Sequence, residues 1–206
     1  MNSTNEQKVY IIDDDPVAAE SMVALVESMH IPTERFSSAE EFYERSIEHR
    51  RGCVLTDLRM RGMSGLDLLE KMNGDSYPLP VILVSAYADV PLTVRAFEKG
   101  VLTVLQKPCR DQDLWDALQH GLKLEAELHK KADTRRKLCE RLEKLTTDER
   151  EVLRLVLNGL PNKTVATRLD IGLRTVEARR HAIMVKLNVS TLVELARILA
   201  ENQITI

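Results

Sequence analysis

The sequence predicts a doubly wound α/β domain built on a five-stranded parallel sheet, followed by a smaller all-α domain. In residues 1–120, five short and continuously apolar runs alternate with segments whose apolar side chains have helical spacing. That alternation is typical of parallel strands covered by helices on both faces. From residue 145 onward, apolar side chains recur only every three or four residues, which indicates helices alone.

In residues 1–120, the predicted strands are bounded apolar runs, and most of the predicted helices begin at a recognisable residue such as a proline or a capping serine. The predicted strands are residues 8–12, 33–36, 53–56, 80–84 and 101–105. Proline at a first helical turn costs nothing, and a Ser followed by Glu three residues later forms a capping box. The predicted helices begin at Pro16, after Ser38 (boxed with Glu41), at Gly65, at Pro91 and at Asp111.

The second part is predicted to hold four helices. Thr146 and Glu149 form a capping box for the first helix, which runs through Leu157. Asn162 is predicted to cap a short helix through Leu169, Gly172 to precede one from Leu173 through Leu187, and Ser190 to cap the last. Residues 121–144 are charged and lack proline, so we expect either a continuation of the preceding helix or a helical linker, with a coiled-coil contact as a further alternative. The predicted domains are therefore 1–120, the linker 121–144, and 145–206.

Charge and cysteine content restrict the class of protein. Residues 1–120 carry 12 basic and 20 acidic side chains, whereas residues 145–206 carry 9 and 7, so only the second part is expected to meet nucleic acid. Three cysteines without metal-like spacing argue against a disulfide framework and for a reducing, cytoplasmic location. We expect no signal peptide, since the N-terminus lacks an apolar stretch, and no membrane partner, since no apolar run is long enough.

Polar side chains stand at the ends of four predicted strands. Asp13 and Asp14 end the first, Asp57 the third and Ser85 the fourth, while Lys107 follows the fifth. In a parallel sheet these ends share one edge, where ligands bind. Three neighbouring carboxylates need a cation, and oxygen ligands suit Mg²⁺. A carboxylate can also accept a phosphoryl group, whose charge a lysine and a hydroxyl would stabilise.

The segments IIDDDP, TDLRMRGMSGLDLL, VILVSAYADV and LQKPC resemble the receiver domain of response regulators, a flavodoxin-like fold, over about residues 7–125. The resemblance implies that Asp57 is the phosphoacceptor and that a sensor histidine kinase is the phosphodonor. It also implies Mg²⁺ ligation by Asp14, Asp57 and the Arg59 backbone carbonyl, with Asp13 acting through water. Ser85 would be the switch hydroxyl, and Lys107 would be the partner of the phosphoryl group. In receivers the peptide bond that follows this lysine, here Lys107–Pro108, is typically cis.

Three positions depart from the usual receiver pattern. Val104 stands where an aromatic switch residue is usual, three residues before the lysine, and Arg61 stands where proline is usual. Tyr87 occupies a position that tunes dephosphorylation in receivers. We hypothesise that Tyr87 and Arg59 shield the phosphoryl group from water.

Residues 145–206 resemble the LuxR-type helix-turn-helix domain, through the framework GLPNK, TVE and the closing KLNV. Joined to a receiver, this resemblance identifies the chain as similar to the FixJ/NarL group. It implies that the helix from Leu173 to Leu187 is the recognition helix in the DNA major groove. By family position the candidate base contacts are Glu177, Ala178 and His181. The candidate phosphate contacts are Lys163, Arg174, Thr175, Arg179 and Lys186.

The predicted function is a response regulator in which phosphorylation of Asp57 controls sequence-specific binding to double-stranded DNA and transcription. A homodimer on activation and RNA polymerase are further expected partners. One alternative is a DNA-binding regulator with a vestigial receiver that acts without phosphorylation, which Val104 and Arg61 make credible. An aspartyl-phosphate enzyme of the haloacid-dehalogenase type would carry a second Asp two residues after the nucleophile, where this chain has Arg59. We therefore expect no enzyme beyond self-catalysed phosphoryl transfer and dephosphorylation.

Overall fold

A computed structural model describes residues 6–45, 50–74, 78–86 and 90–206. The chain divides into two compact units, of which the first extends to His129 and the second begins at Lys130. The predicted linker 121–144 is thus shared between them. Within the described ranges, none of the helices has the length and apolar character needed to cross a bilayer.

The first unit contains the predicted five-stranded sheet, with every neighbouring pair parallel and the order β2-β1-β3-β4-β5. The strands are β1 (Lys8–Ile12), β2 (Thr33–Phe36), β3 (Gly52–Asp57), β4 (Val81–Ser85) and β5 (Thr103–Gln106). The last strand begins two residues later than predicted. The reason is that the Val101 N–H bonds to the Ala96 carbonyl and so closes the preceding helix.

Within the described part of this unit five helices begin, in agreement with the predicted α/β alternation. They are α1 (Pro16–Ser28), α2 (Ala39–Glu44), α3 (Gly65–Met72), α4 (Val90–Glu98) and α5 (Asp111–Glu143). Ser38 caps α2 as predicted, accepting the Glu41 N–H at 3.1 Å. The predicted capping box is only half formed, because the Glu41 carboxylate accepts from the N–H and hydroxyl of Ser37 instead.

Alternate side chains of the central strands enter two separate apolar layers. Tyr10 and Ile12 of β1 join the cluster that includes residues of α2 and α3, whereas Val9 and Ile11 join the cluster that includes residues of α1 and α5. Both faces of the sheet are therefore covered by apolar packing. The ends of the strands are left as the place where polar side chains can form a site.

The second unit is helical. It holds the end of α5 together with α6 (Thr147–Leu157), α7 (Asn162–Leu169), α8 (Leu173–Leu187) and α9 (Leu192–Glu201). The helix predicted from Asp111 continues without a break through 33 residues. Leu138 of α5 is 4% exposed and belongs to the core that α6, α7, α8 and α9 form. This unit therefore contains a fifth helical segment beyond the four predicted.

The helix caps of the second unit agree with the sequence in one case and differ in two. The capping box of Thr146 and Glu149 is present. Asn162 does not cap α7, because Pro161 is the N-cap residue and the Asn162 side chain accepts a hydrogen bond from Arg180. Ser190 does not cap α9 either. Its backbone N–H donates to the Glu194 carboxylate, and the Thr191 side chain provides the cap.

Candidate functional site

Four strand ends meet at one edge of the sheet, as the sequence predicted. Asp13 follows β1, Asp57 and Ser85 are the last residues of β3 and β4, and Lys107 follows β5. Asp13 and Ser85 are almost fully buried, with 8% and 2% of their surface exposed. Polar groups that are buried this deeply need partners, so their hydrogen bonds define what the site can do.

The ammonium group of Lys107 joins two of the predicted carboxylates. Its Nζ lies 2.7 Å from Asp13 Oδ2 and 2.6 Å from Asp57 Oδ1. Burial by itself lowers the pKa of Lys107, but its hydrogen bonds to Asp13 and Asp57 outweigh burial and hold the pKa above its usual value. A charged lysine is therefore fixed beside the predicted phosphoacceptor.

The backbone on either side of Lys107 fixes its direction. The Lys107–Pro108 peptide bond is cis, as the receiver resemblance implied. The Lys107 N–H donates to the Ser85 carbonyl at 2.8 Å, which ties the end of β5 to the end of β4. Lys107 and Ser85 are thereby held at the same corner of the site.

Asp14 has a different cationic partner. Its Oδ2 accepts from the Arg61 backbone N–H at 3.2 Å and from the Arg61 Nε at 3.0 Å. Burial is the largest single effect and by itself raises the pKa of Asp14, but the hydrogen bonds and the charge of Arg61 together outweigh it and lower the pKa below its usual value. Arg61 was singled out in the sequence only as a departure from proline, and its pairing with Asp14 could not be read from that.

The loop after β3 is built tightly around Asp57. The Arg59 N–H donates to Asp57 Oδ2 at 2.7 Å. Gly65 begins α3 so close to the strand that an added Cβ would lie 2.5 Å from the Asp57 carbonyl oxygen. The Met63 N–H donates to Glu40 Oε1 at 2.7 Å, which anchors the far side of the loop to α2.

The donor set suits a hard cation, although the carboxylates are not gathered into a metal cage. Among the described residues, no three acidic, histidine or cysteine side chains lie close enough to hold an ion. Lys107 pairs with both Asp13 and Asp57, and Arg61 pairs with Asp14, so two cations face three carboxylates and one negative charge is left over. Carboxylate oxygens at one edge remain the ligands that Mg²⁺ prefers.

Val104 and Tyr87 were two of the departures from the usual receiver pattern, and the structure describes only the first of them. Val104 is half-buried and packs on the apolar layer that contains Leu83, its partner in the sheet register. Tyr87 lies outside the described residues, so the shielding role predicted for Tyr87 and Arg59 stays a prediction.

In the second unit, α7 and α8 are separated by a turn of three residues. Asp170 in this turn has the left-handed backbone conformation, with φ of 52°. Val165, Ala166, Val176, Ile183 and Leu187 are buried, and Leu169 is half-buried. Two helices joined by a short turn, with the second partly exposed, form the helix-turn-helix arrangement.

The predicted DNA contacts fall into two groups. Seven are exposed: Lys163, Arg174, Thr175, Glu177, Ala178, His181 and Lys186, whereas Arg179 is half-buried. Two of the eight form ion pairs with α6. Arg179 binds Asp148, and Lys186 Nζ lies 2.6 Å from Glu149 Oε2. Sequence reasoning identified Glu149 only as a capping residue.

Comparisons with known proteins agree with both halves. A family model described as response regulator receiver domain matches residues 9–119, and one described as bacterial regulatory proteins of the luxR family matches residues 143–199. The chain is 38% identical over 189 residues to the transcriptional regulatory protein FixJ of Azorhizobium caulinodans, covering 92% of this chain and 90% of that protein. It is 36% identical over 190 residues to the response regulator protein TodT of Pseudomonas putida, covering 92% and 84%.

Among solved structures, the response regulator StyR is 37% identical with a TM-score of 0.84, covering 95% of this chain and 99% of that one. The receiver implies a sensor kinase as partner, and the LuxR-type domain implies DNA. Such an output domain makes the protein a regulator and not a classical enzyme. The chain therefore belongs to the FixJ-type response regulators, which join a receiver domain to a LuxR-type DNA-binding domain and regulate transcription under the control of phosphorylation.

Proposed function

We propose that Asp57 is the phosphoacceptor and that a sensor histidine kinase supplies the phosphoryl group. The observation that carries this proposal is the position of Lys107, whose ammonium lies 2.6 Å from Asp57 Oδ1. A fixed cation at this distance would stabilise negative charge on the transferred group without reorganising. The Ser85 hydroxyl, at the end of the neighbouring strand, is proposed to donate to a phosphoryl oxygen.

Mg²⁺ is the proposed cofactor, held by Asp14, Asp57 and the Arg59 backbone carbonyl, with Asp13 acting through water. Bound there, the ion would neutralise charge on the phosphoryl oxygens. The Asp14 Oδ2 would become available to a cation when it is released from the Arg61 side chain, which is 88% exposed. An exposed pair of this kind contributes about 0–1 kcal/mol, so the competition is weak.

The predicted output is a change in affinity for double-stranded DNA. Phosphorylation can act only by stabilising one of two states, here through the contacts of Ser85 and Lys107 with the phosphoryl group. In the active state two copies of the chain are proposed to pair and to bind two half-sites. RNA polymerase is a further proposed partner, and the cytoplasm is the proposed location.

We propose α8 as the recognition helix. Glu177, Ala178 and His181 lie on its exposed face, where they would meet base edges. Lys163, Arg174 and Thr175 are exposed on α7 and at the start of α8, where they would contact phosphates. The Gly172 N-cap of α8 makes no side-chain capping bond, which leaves N–H groups at this helix start for a phosphate oxygen.

Phosphorylation is tested by incubating the full-length protein with Mg²⁺ and acetyl phosphate and measuring the intact mass. We expect a gain of one phosphoryl group, lost in Asp57→Asn and retained in the control Asp116→Asn, which changes an exposed carboxylate on α5. A mass gain that persists in Asp57→Asn would refute the assignment of this residue.

A vestigial receiver is the second candidate function, favoured by Val104 in place of the switch aromatic and by the Arg61–Asp14 pair. DNA binding by the full-length protein, measured with and without acetyl phosphate, separates the two. An affinity that rises on phosphorylation supports the switch. An affinity that is equal in both states, with no phosphoryl adduct, supports the vestigial receiver.

A further inference from the structure

Two cations of α8 lie on one flank of the helix, next to the core. Arg179 and Lys186 are seven residues apart, or about two helical turns, so they share one side of α8. Each follows a buried core residue, Val176 or Ile183, by three positions. They therefore lie beside the buried face and away from the centre of the exposed face.

Both cations are bound to the first turn of α6. Arg179 Nη2 pairs with Asp148, and Lys186 Nζ lies 2.8 Å from Glu149 Oε1 and 2.6 Å from Glu149 Oε2. Asp148 and Glu149 are consecutive, so two neighbouring carboxylates of one helix hold two side chains that lie about two turns apart on the other. Such a pairing fixes both the distance and the rotation of α8 relative to α6.

The Lys186–Glu149 pair is poorly placed for release to a phosphate. The Glu149 side chain is 9% exposed, and its Oε2 also accepts the Thr146 N–H at 2.8 Å within the capping box. The Lys186 side chain is itself 35% exposed, but moving it onto DNA would leave the mostly buried Glu149 carboxylate without its counter-charge, which is costly. The Arg179 pair is weaker, because Asp148 is 62% exposed.

The other flank and the end of α8 are also held. Arg180 donates to the Asn162 side chain at the start of α7. Arg141 of α5 donates through Nη1 to the Leu187 carbonyl at 3.2 Å, which satisfies an orphan group in the last turn of α8. Four basic side chains thus connect α8 to three other helices of the second unit.

We propose that Lys186 and Arg179 are positioning residues that set the angle of α8 for DNA binding, and that they do not contact phosphate. This inference rests on the proposed role of α8 as the recognition helix. It assigns Asp148 and Glu149 a part in DNA binding although both are acidic. Phosphate neutralisation falls instead to cations such as Arg174 and Lys163.

The phosphate-contact role and the positioning role of Lys186 predict opposite changes in DNA affinity for Glu149→Gln. If Lys186 contacted phosphate, removing its intramolecular partner would free it and strengthen DNA binding. If Lys186 positions α8, the same change loosens the helix and weakens specific binding by roughly tenfold, comparable to one mismatched base pair. Asp148→Asn should weaken specific binding by a smaller factor.

The experiment uses the full-length protein after acetyl phosphate treatment and a duplex that the wild-type protein enriches from a random-sequence pool. Affinity is measured by fluorescence anisotropy at several salt concentrations, with a duplex of scrambled sequence beside it. We expect Lys186→Gln to weaken binding to the selected duplex far more than to the scrambled one, with little change in salt dependence. A phosphate contact would lower the salt slope by about one and weaken both duplexes alike.

Rescue variants separate positioning from a loss of folding. Lys186→Arg keeps the ion pair and should retain the wild-type affinity and preference. The exchanged pair Asp148→Arg with Arg179→Asp should bind better than Arg179→Asp alone, since the two charges still attract. No rescue in either case, or tighter binding by Glu149→Gln, would overturn the proposal.

The variant Arg174→Gln distinguishes a failure of the positioning role of Lys186 from a failure of the proposed recognition role of α8. If α8 reads DNA, this variant should weaken both duplexes and lower the salt slope. If Arg174→Gln and Lys186→Gln both lower the slope, only the positioning role fails. If neither variant changes DNA binding, the recognition role of α8 fails as well.

Discussion

The Arg51 guanidinium and the Glu125 carboxylate form a buried ion pair, with Nε 2.6 Å from Oε1 and Nη2 3.2 Å from Oε2. The Glu125 side chain has no exposed surface, and that of Arg51 is 13% exposed. The Gln7 side chain donates to the same carboxylate at 2.5 Å and to the Leu122 carbonyl at 2.7 Å. The pair therefore ties α5 to the segments that enter β1 and β3.

Removing one partner of this pair should destabilise the receiver strongly. Glu125→Ala removes the carboxylate that binds the buried Arg51 guanidinium through two nitrogens, at a cost of about 3–5 kcal/mol in the free energy of unfolding. Trp115 is the only tryptophan and lies on α5, so its fluorescence during urea unfolding reports this unit.

The matched control is Arg110→Ala, which breaks the exposed pair between Arg110, just before α5, and Asp113 in its first turn. It should change the free energy of unfolding by no more than about 1 kcal/mol. Equal effects of Glu125→Ala and Arg110→Ala would contradict the importance given to the buried pair.

Gly65 should be intolerant of any side chain. A Cβ there would lie 2.5 Å from the Asp57 carbonyl oxygen and 2.9 Å from Leu83 Cδ2, so the backbone that carries Asp57 must shift. Gly65→Ala should lower stability by about 1–3 kcal/mol and slow phosphorylation of Asp57 by acetyl phosphate.

Gly74 provides the comparison for that substitution. Among the residues that the structure describes, a Cβ at Gly74 would meet only the Lys71 carbonyl oxygen, at an ordinary 3.5 Å. Gly74→Ala should leave the phosphorylation rate unchanged. A Gly65→Ala variant phosphorylated at the wild-type rate would show that the approach of α3 to β3 does not hold Asp57 in place.

The fold and the receiver pocket were predictable from sequence because their signals are local. Each strand is a short apolar run, and Asp13, Asp57 and Ser85 stand where such runs stop. A parallel sheet then brings those ends together without further information. The cis bond before Pro108 came from the receiver resemblance and is present.

The contacts that were missed depend on partners far apart in sequence. Arg51 and Glu125 are separated by 74 positions, and each alone resembles an ordinary surface charge. The caps of α7 and α9 were misassigned for a related reason. Ser190 and Thr191 can both cap a helix, and the choice depends on the Glu194 carboxylate, which accepts from the Ser190 N–H.

The Glu149 carboxylate should make the stability of the second unit depend on pH. Its hydrogen bond with Lys186, against a smaller opposing effect of burial, lowers the pKa of Glu149 from the ordinary 4.5. A lowered carboxyl pKa contributes stability above the unfolded-state pKa, and this contribution is lost as the pH falls through the folded-state value. Glu149→Gln should therefore be less stable than wild type near pH 7, with the difference shrinking below pH 4.5.

The stability of the second unit can be measured separately because all aromatic side chains lie in the first unit. Every Phe, Tyr and Trp of the chain precedes residue 116, so Trp115 fluorescence does not report unfolding of the second unit directly. Unfolding of the second unit is therefore followed by the loss of helical circular dichroism. The part of this signal that changes without a change in Trp115 fluorescence is assigned to the second unit. Glu151→Gln, an exposed neighbour on α6, is the control. A stability gap between Glu149→Gln and wild type that is constant from pH 7 to pH 4 would contradict this expectation.

The DNA-binding unit should begin within α5 and not at residue 145. Leu138 is 4% exposed in the core of the second unit, whereas Leu128 on the same helix is 36% exposed. Leu138→Ala should destabilise the second unit by about 2–5 kcal/mol, because a buried cavity replaces the side chain. Leu128→Ala should cost about 0.5 kcal/mol, as for other surface positions.

Two fragments test the same boundary by truncation. The fragment 145–206 lacks both Leu138 and Arg141, so one side of its core is open and the Leu187 carbonyl loses its donor. The fragment 130–206 keeps both. We expect 130–206 to unfold cooperatively and 145–206 to be much less stable, as measured by circular dichroism in urea. If both fragments unfold at the same urea concentration, α5 adds nothing to this core, and the boundary belongs after residue 144.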